Sequence, residues 1–142
     1  MDAIIITIGD EILVGQTIDT NSAHIAKELY QLGIQINEIV SISDTEKHIV
    51  STLDRVLNTA EFIIFTGGLG PTNDDITKKV LTSYFKDELV IYPAILKRIQ
   101  AFFTKFNKPF LEVNRMQALL PKNATIIENE LGTASGLSLI HI

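Results

Sequence analysis

The run Ala3-Ile4-Ile5-Ile6-Thr7-Ile8 constrains the fold more than any other segment of the chain. It is apolar and β-branched without a polar face, the pattern of a strand covered on both sides inside a parallel sheet. A parallel neighbour requires a crossover, normally a helix. The following residues supply one. After a loop over residues 9–20, Asn21 or Ser22 can cap a helix whose Ile25, Ala26, Leu29 and Leu32 share a face, and Gly33 stops it. Residues 34–42 read as a second strand, with Ile34 and Ile36 alternating with Gln35 and Asn37. Asp44 or Thr45 then caps a helix carrying Ile49, Leu53, Val56 and Leu57. Residues 62–66 form a third strand, and Ile76, Val80, Leu81 and Tyr84 mark a third helix. This alternation predicts an α/β fold, a three-layer, doubly wound and mostly parallel sheet of order 2-1-3 with function at the carboxyl ends of its strands. Beyond it the spacing predicts a helix over 93–106, a short strand over 124–128, and irregular connections over 107–110 and 120–123.

A chain of 142 residues, 46% hydrophobic and 20% charged, can bury one core and reads as a single soluble domain. The net charge of −5 and the scattered Lys and Arg argue against a nucleic-acid partner. Lys78-Lys79 and Lys97-Arg98 read as solvated helix faces. No apolar run approaches the ~20 residues that span a bilayer, and no secretory start is visible, so a cytoplasmic location without a membrane partner is expected. With no cysteine, any metal must be held by oxygen ligands or His. Phe102, Phe103 and Phe106 read as core or as an oligomer contact.

Chemistry concentrates in Thr66-Gly67-Gly68-Leu69-Gly70-Pro71-Thr72-Asn73-Asp74-Asp75, between the third strand and the third helix. Glycines let backbone N–H groups approach an anion, and the helix start adds the positive end of its dipole. Adjacent carboxylates would repel a bare phosphate unless a divalent cation lies between, so the loop reads as a phosphate cradle with a metal or catalytic acid at its rim. A role as helix caps is the alternative for Asp74 and Asp75. Gly9-Asp10-Glu11 leaves the first strand at the same sheet edge, and Asp19-Thr20-Asn21 opens the first helix there, supplying polar groups for a ribose or phosphate, with simple helix capping the alternative for Asp19 and Thr20. Asp10, Glu11, Asp74 and Asp75 are therefore expected to converge on a divalent ion. A glycine-bearing turn spans Asn129-Glu130-Leu131-Gly132-Thr133-Ala134-Ser135-Gly136, and Asn114, Arg115 and Gln117 precede Pro121 on a short helix. No serine has a nucleophile-elbow setting, and His24, His48 and His141 offer no triad base.

Gly9-Asp10-Glu11-Ile12-Leu13, Asp19-Thr20-Asn21, the Thr66–Thr72 loop with Asp74-Asp75, Asn114 with Gln117-Ala118, and Asn129 with Gly132-Thr133-Ala134 together resemble the amino-terminal domain of the CinA competence/damage-inducible proteins. That domain belongs to the molybdopterin-binding superfamily, with MoaB, MogA and MoeA. The resemblance implies a metal-dependent pyrophosphatase that hydrolyses ADP-ribose to AMP and ribose 5-phosphate, using Mg, Mn or Co. It implies catalytic roles for Asp10, Asp74 and Asp75, metal ligation by these and Glu11, and substrate contacts from Asn21, Gly67, Gly68, Gly70, Pro71, Thr72, Asn129, Gly132 and Thr133. The expected partner is a small nucleotide, and a homo-oligomer, dimer or trimer, is expected. Alternatives are a molybdopterin-binding protein of cofactor biosynthesis and a non-catalytic nucleotide-binding domain. The family's separate deamidase domain has no counterpart in these residues. Ser135 stands where the family usually has proline. Residues 1–136 are expected to be this domain, incomplete at its carboxyl end, and residues 137–142 a non-native tail resembling translated adapter DNA.

Overall fold

The computed structural model describes residues 1–139, and its contacts divide the chain into two compact units, Met1–Gly68 and the residues from Leu69 onward. In the first unit β1 (Asp2–Ile8) is the middle strand of a parallel sheet, with β2 (Gln35–Ile42) on one side and β3 (Phe62–Thr66) on the other. The order 2-1-3 is the expected one. Ala3, Ile5 and Ile6 are 0% exposed, so β1 is covered on both faces as its composition requires. Each buried isoleucine contributes about 1.5–3 kcal/mol relative to an exposed one.

A single turn, α1 (Asp10–Leu13), follows β1, and the β1–β2 crossover helix is α2 (Thr20–Gln31). Its cap is Asp19 rather than Asn21 or Ser22: Asp19 Oδ1 accepts the Ser22 N–H at 3.0 Å, so the helix starts earlier than the apolar spacing indicates. Leu32 lies past the last turn and is exposed, leaving Ile25, Ala26 and Leu29 as the half-buried face. The β2–β3 crossover is α3 (Glu46–Val56), with Ile49, Leu53 and Val56 buried. Thr45 holds its N-cap position without a side-chain bond.

The second unit contains α4 (Thr77–Tyr84), β4 (Leu89–Ile91), α5 (Pro93–Lys105), α6 (Glu112–Arg115), a 3₁₀ turn over Met116–Ala118, β5 (Leu119–Pro121), β6 (Thr125–Ile127) and β7 (Gly136–Ser138). Strand β4 pairs antiparallel with β5, and β6 with β7, so the parallel pairing lies in the first unit. Ile95, Ile99, Ala118 and Leu120 form a core against which Tyr92, Leu96, Phe103, Phe110, Ile126 and Leu137 pack. Of the aromatic cluster, Phe103 joins this core, whereas Phe106 is exposed and meets Phe102 in a tilted pair with ring centroids 4.8 Å apart.

Three expectations are corrected here. Strand β4 was not anticipated, and β5 occupies part of the connection expected over 120–123. Ile76 holds the N-cap position of α4, so Asp74 and Asp75 precede the helix instead of lying in its first turn. Within the proposed tail, Leu137 and Ser138 pair with Ile126 and Thr125, while residues 140–142, including His141, lie outside the described residues. Among the described residues no helix is long and apolar enough to cross a membrane.

Candidate functional site

At the carboxyl edge of the first unit, the ends of β1 and β3 lie side by side, with Thr7 opposite Thr66. They border a cavity of about 130 Å³ lined in part by Thr7, Glu11, Asp19, Asn21, Thr66 and Gly67. A larger hollow of about 480 Å³ adjoins Tyr30 and Gly33–Ile36, near the amino end of β2, but offers only the Tyr30 phenol as an ionisable group. The smaller cavity has the chemistry.

Asp19 organises that cavity. Its Oδ2 accepts the Thr7 hydroxyl at 2.6 Å while Oδ1 caps α2, so one carboxylate ties the end of β1 to the start of the crossover helix. Burial pushes the Asp19 carboxyl up, but hydrogen bonds from Ser22 and Thr7 outweigh it and hold the group below its ordinary value. Asn21 Nδ2 donates to Thr66 Oγ1 at 3.5 Å, at the limit of a hydrogen bond.

The glycine turn begins with a close approach. Gly67 has φ +97°, and a Cβ on it would lie 2.0 Å from the Ile8 carbonyl oxygen, so both its conformation and its packing on β1 demand glycine. Gly68 follows at φ +67°. Asp10 and Glu11 are exposed at the start of α1, and the Glu11 carboxylate lies over Gly9, 2.7 Å from where a Cβ would sit.

In the second unit, Gly70, Pro71, Thr72 and Asp75 form a self-contained turn. Asp75 Oδ2 accepts both the Thr72 N–H and the Thr72 hydroxyl, and a Cβ on Gly70 would lie 2.7 Å from that oxygen. Burial raises the Asp75 carboxyl, yet the bonds from Thr72 and Gly70 and the Lys78 charge hold it below the usual carboxylate range. Asp75 thus stays an ionised acceptor, while Asp74 is exposed beside it.

Two cations assigned to solvated faces are elsewhere. Lys78 is 8% exposed and donates from Nζ to the Met116 carbonyl at 2.9 Å, and burial pushes its pKa down. Arg98 is half-buried and reaches into the Asn129–Ser135 turn, donating to the carbonyls of Asn129, Gly132 and Thr133 and to Ser135 Oγ. Helical spacing carried a signal for each: Arg98 lies three residues after Ile95 and Lys78 three before Leu81, on the buried faces. The Asn129 amide serves the same turn, accepting the Leu131 N–H at 3.0 Å and donating to the Ala134 carbonyl at 2.9 Å. Gln117 and Thr77 are buried, and Gln117 Oε1 and Thr77 Oγ1 have no partner among the described residues. Asn114 Oδ1 accepts the Leu111 N–H.

The structure therefore gathers the sequence candidates into three groups: Asn21, Gly67 and Glu11 around the first-unit cavity, Gly70, Thr72 and Asp75 in one turn, and Asn129, Gly132 and Thr133 in another. No group of three His, Asp or Glu side chains among the described residues is arranged to hold a metal by itself. The exposed carboxylates of Asp10, Glu11 and Asp74 are oxygen donors, the ligand type that hard cations take.

A family model described as a probable molybdopterin binding domain matches residues 4–140. The crystal structure of CinA from Thermoplasma acidophilum, described as a protein of unknown function, superimposes with a TM-score of 0.83 at 32% identity, covering 96% of this chain and 79% of that one. The chain belongs to the CinA branch of the molybdopterin-binding domain family. A CinA-like protein of Flavobacterium psychrophilum is 48% identical over 140 residues, 98% of this chain and 34% of that protein. This CinA-family chain thus spans about a third of the length of the curated relatives it matches. The tungsten cofactor synthesizing protein MoaB of Pyrococcus furiosus shares the fold, with a TM-score of 0.58 at 21% identity over 97% of this chain and 80% of its own.

Proposed function

We propose that this CinA-type domain is a metal-dependent nucleotide pyrophosphatase that hydrolyses ADP-ribose to AMP and ribose 5-phosphate. The observation that carries the reading is the first-unit cavity, where an ionised, doubly bonded Asp19 and the amide of Asn21 stand beside a glycine turn. An acceptor-only carboxylate with an amide suits ribose hydroxyls, and the glycine turn at Gly67 and Gly68 suits close approach of a diphosphate to backbone. In the second unit, Asp75 is kept charged by Thr72 and Gly70, so it can take a proton from water or ligate a cation without first losing its own. Asp10 and Glu11 in the first unit, and Asp74 and Asp75 in the second, are the carboxylates each unit would offer a divalent ion. When bound, the ion supplies charge neutralisation at phosphorus and a more acidic water.

Incubation with ADP-ribose and Mg²⁺, Mn²⁺ or Co²⁺ tests the proposal by release of AMP and ribose 5-phosphate. Asp75→Asn is expected to lower kcat per folded molecule by about 100-fold, the scale of a positioned acid or base. Unchanged turnover in a folded Asp75→Asn protein rejects that role and leaves Asp75 as a turn scaffold. A molybdopterin-binding role is the second reading, favoured by the family-model match and the MoaB likeness. Saturable pterin binding without nucleotide turnover would replace the first reading with it.

A further inference from the structure

We infer that Ile18 is a specificity-determining residue: its exposed side chain is the shelf on which the heterocyclic base of the nucleotide lies, so that the first unit prefers base-bearing nucleotides to base-free sugar phosphates. The inference deepens the reading above and rests on it for the orientation of the ligand. Size is its starting point. The first-unit cavity holds about 130 Å³, whereas sites that enclose a whole small ligand have roughly 300–1,000 Å³. A ribose that reaches Asp19 therefore leaves its base outside the cavity, against the side chains at the mouth.

Ile18 is placed to meet it. Of the aliphatic side chains that line the cavity, Ile8 is buried, Ile12 half-buried and Ile18 83% exposed. Ile18 also directly precedes Asp19, with consecutive Cα atoms ~3.8 Å apart. Its carbonyl accepts the Thr20 N–H at 2.8 Å, which holds Ile18 and Asp19 in one tight turn. The base is joined at C1′, next to the 2′-hydroxyl that an acceptor-only carboxylate takes, so it falls within one residue's reach of Asp19. The 5′-phosphate leaves from the other side of the ring oxygen and is free to reach the glycine turn at Gly67. The exposure of Ile18 belongs to an ordered loop: the Gly15 N–H donates to the Ile12 carbonyl at 3.1 Å, and the Gln16 and Thr17 N–H groups donate to that of Glu11 at 2.9 and 3.1 Å. An aliphatic side chain gives a flat ring dispersion contact and shelter from water.

NMR titration of the full chain with AMP and with ribose 5-phosphate, which lacks the base at C1′, tests the inference in wild type, Ile18→Ser and Ile18→Leu. Wild type should bind AMP about five- to tenfold more tightly, the scale of sheltering part of one isoleucine side chain. Adenine H2 or H8 should show nuclear Overhauser contacts to the Ile18 methyls. Ile18→Ser should remove the preference and leave the affinity for ribose 5-phosphate within about twofold, while Ile18→Leu should keep the preference. At an exposed position neither substitution is expected to disturb folding. In turnover, Ile18→Ser should raise KM for ADP-ribose with kcat within about twofold, the mark of lost uniform binding. Missing Overhauser contacts in AMP-saturated wild type overturn the inference, as does an undiminished AMP preference in Ile18→Ser or an equal weakening of both probes. Loss of self-association in Ile18→Ser with the AMP preference intact assigns the side chain to a second copy and overturns it too. An Ile18-dependent preference without ADP-ribose hydrolysis rejects the pyrophosphatase reading alone. Hydrolysis with Ile18-independent AMP binding rejects this inference alone, and AMP that fails to bind rejects both.

Discussion

Replacing Gly67 by alanine separates two reasons for a glycine that are usually confounded. At Gly67 the added methyl would meet the Ile8 carbonyl at 2.0 Å, whereas at Gly15, with φ +75°, it would meet nothing within 4 Å. Both variants bear the cost of a left-handed conformation, about 1–2 kcal/mol. Only Gly67→Ala also needs a shift of more than about 1 Å to reach an ordinary carbon–oxygen contact near 3.3 Å. That shift must come from the end of β3, where Thr66 pairs with Thr7 and accepts from Asn21. Losing one or two such bonds adds about 1–3 kcal/mol, giving about 2–5 kcal/mol in total. At about 3 °C per kcal/mol for a domain of this size, Tm should fall by about 6–15 °C, against about 3–6 °C for Gly15→Ala. Circular dichroism melts and urea titrations of both variants measure this. If the two melts fall by the same amount, the contact with Ile8 is not what requires glycine, and the described seat of the turn on β1 is wrong.

Further outcomes follow from the bonded carboxylates and the buried lysine. Thr7→Val removes a donor to Asp19 and should cost about 1 kcal/mol at neutral pH. Because the folded Asp19 pKa is lowered, its stabilisation is full above the unfolded value and disappears as pH falls through the folded one. The gap between wild type and Thr7→Val should therefore close as pH falls below about 4 in urea melts, and a constant gap argues against the bond. Lys78 follows the same sign in a higher pH range: its folded pKa is lowered, so the unfolded chain binds more protons and wild-type stability should rise relative to Lys78→Met as pH increases toward about 10.5. Parallel curves in the range just below about pH 10.5 would contradict the burial. Gly70→Ala should displace the Asp75 carboxylate and reduce ADP-ribose turnover more than it reduces Tm, and equal activity in a folded variant refutes the coupling.

What was legible in the sequence was whatever local pattern determines. The β-branched run of β1 can only be an interior strand, and the apolar spacing of α3 places Ile49, Leu53 and Val56 inward without knowledge of what covers them. Asp19 was visible at the right edge, and capping by it three residues before Ser22 was readable locally, but its second bond, from Thr7 twelve residues away, lies outside any window around the helix start. Strands β4 and β5 are three residues each, too short to show alternation, and are defined by pairing across the sequence. Lys78 and Arg98 sit in dibasic pairs that resemble solvated surface, yet each has carbonyl acceptors in a distant turn. Burial of a cation is a tertiary fact. The acidic residues were legible as types, while the bonds that keep Asp75 ionised required coordinates.

The pairing of β1 also sets a schedule for synthesis. The centre of the sheet leaves the ribosome before either neighbour, for Ala3 finds its β2 partner only at Ile36 and its β3 partner only at Phe62. Until those residues emerge, Ile4, Ile5 and Ile6 are apolar chain with both edges unpaired, the state in which a nascent polypeptide associates with its neighbours or a chaperone. Closure over so long a loop makes docking of β3 a slow, non-local step. Gly67 then becomes a terminus of folding as well as of the strand, for its backbone can settle on Ile8 only after the sheet has closed.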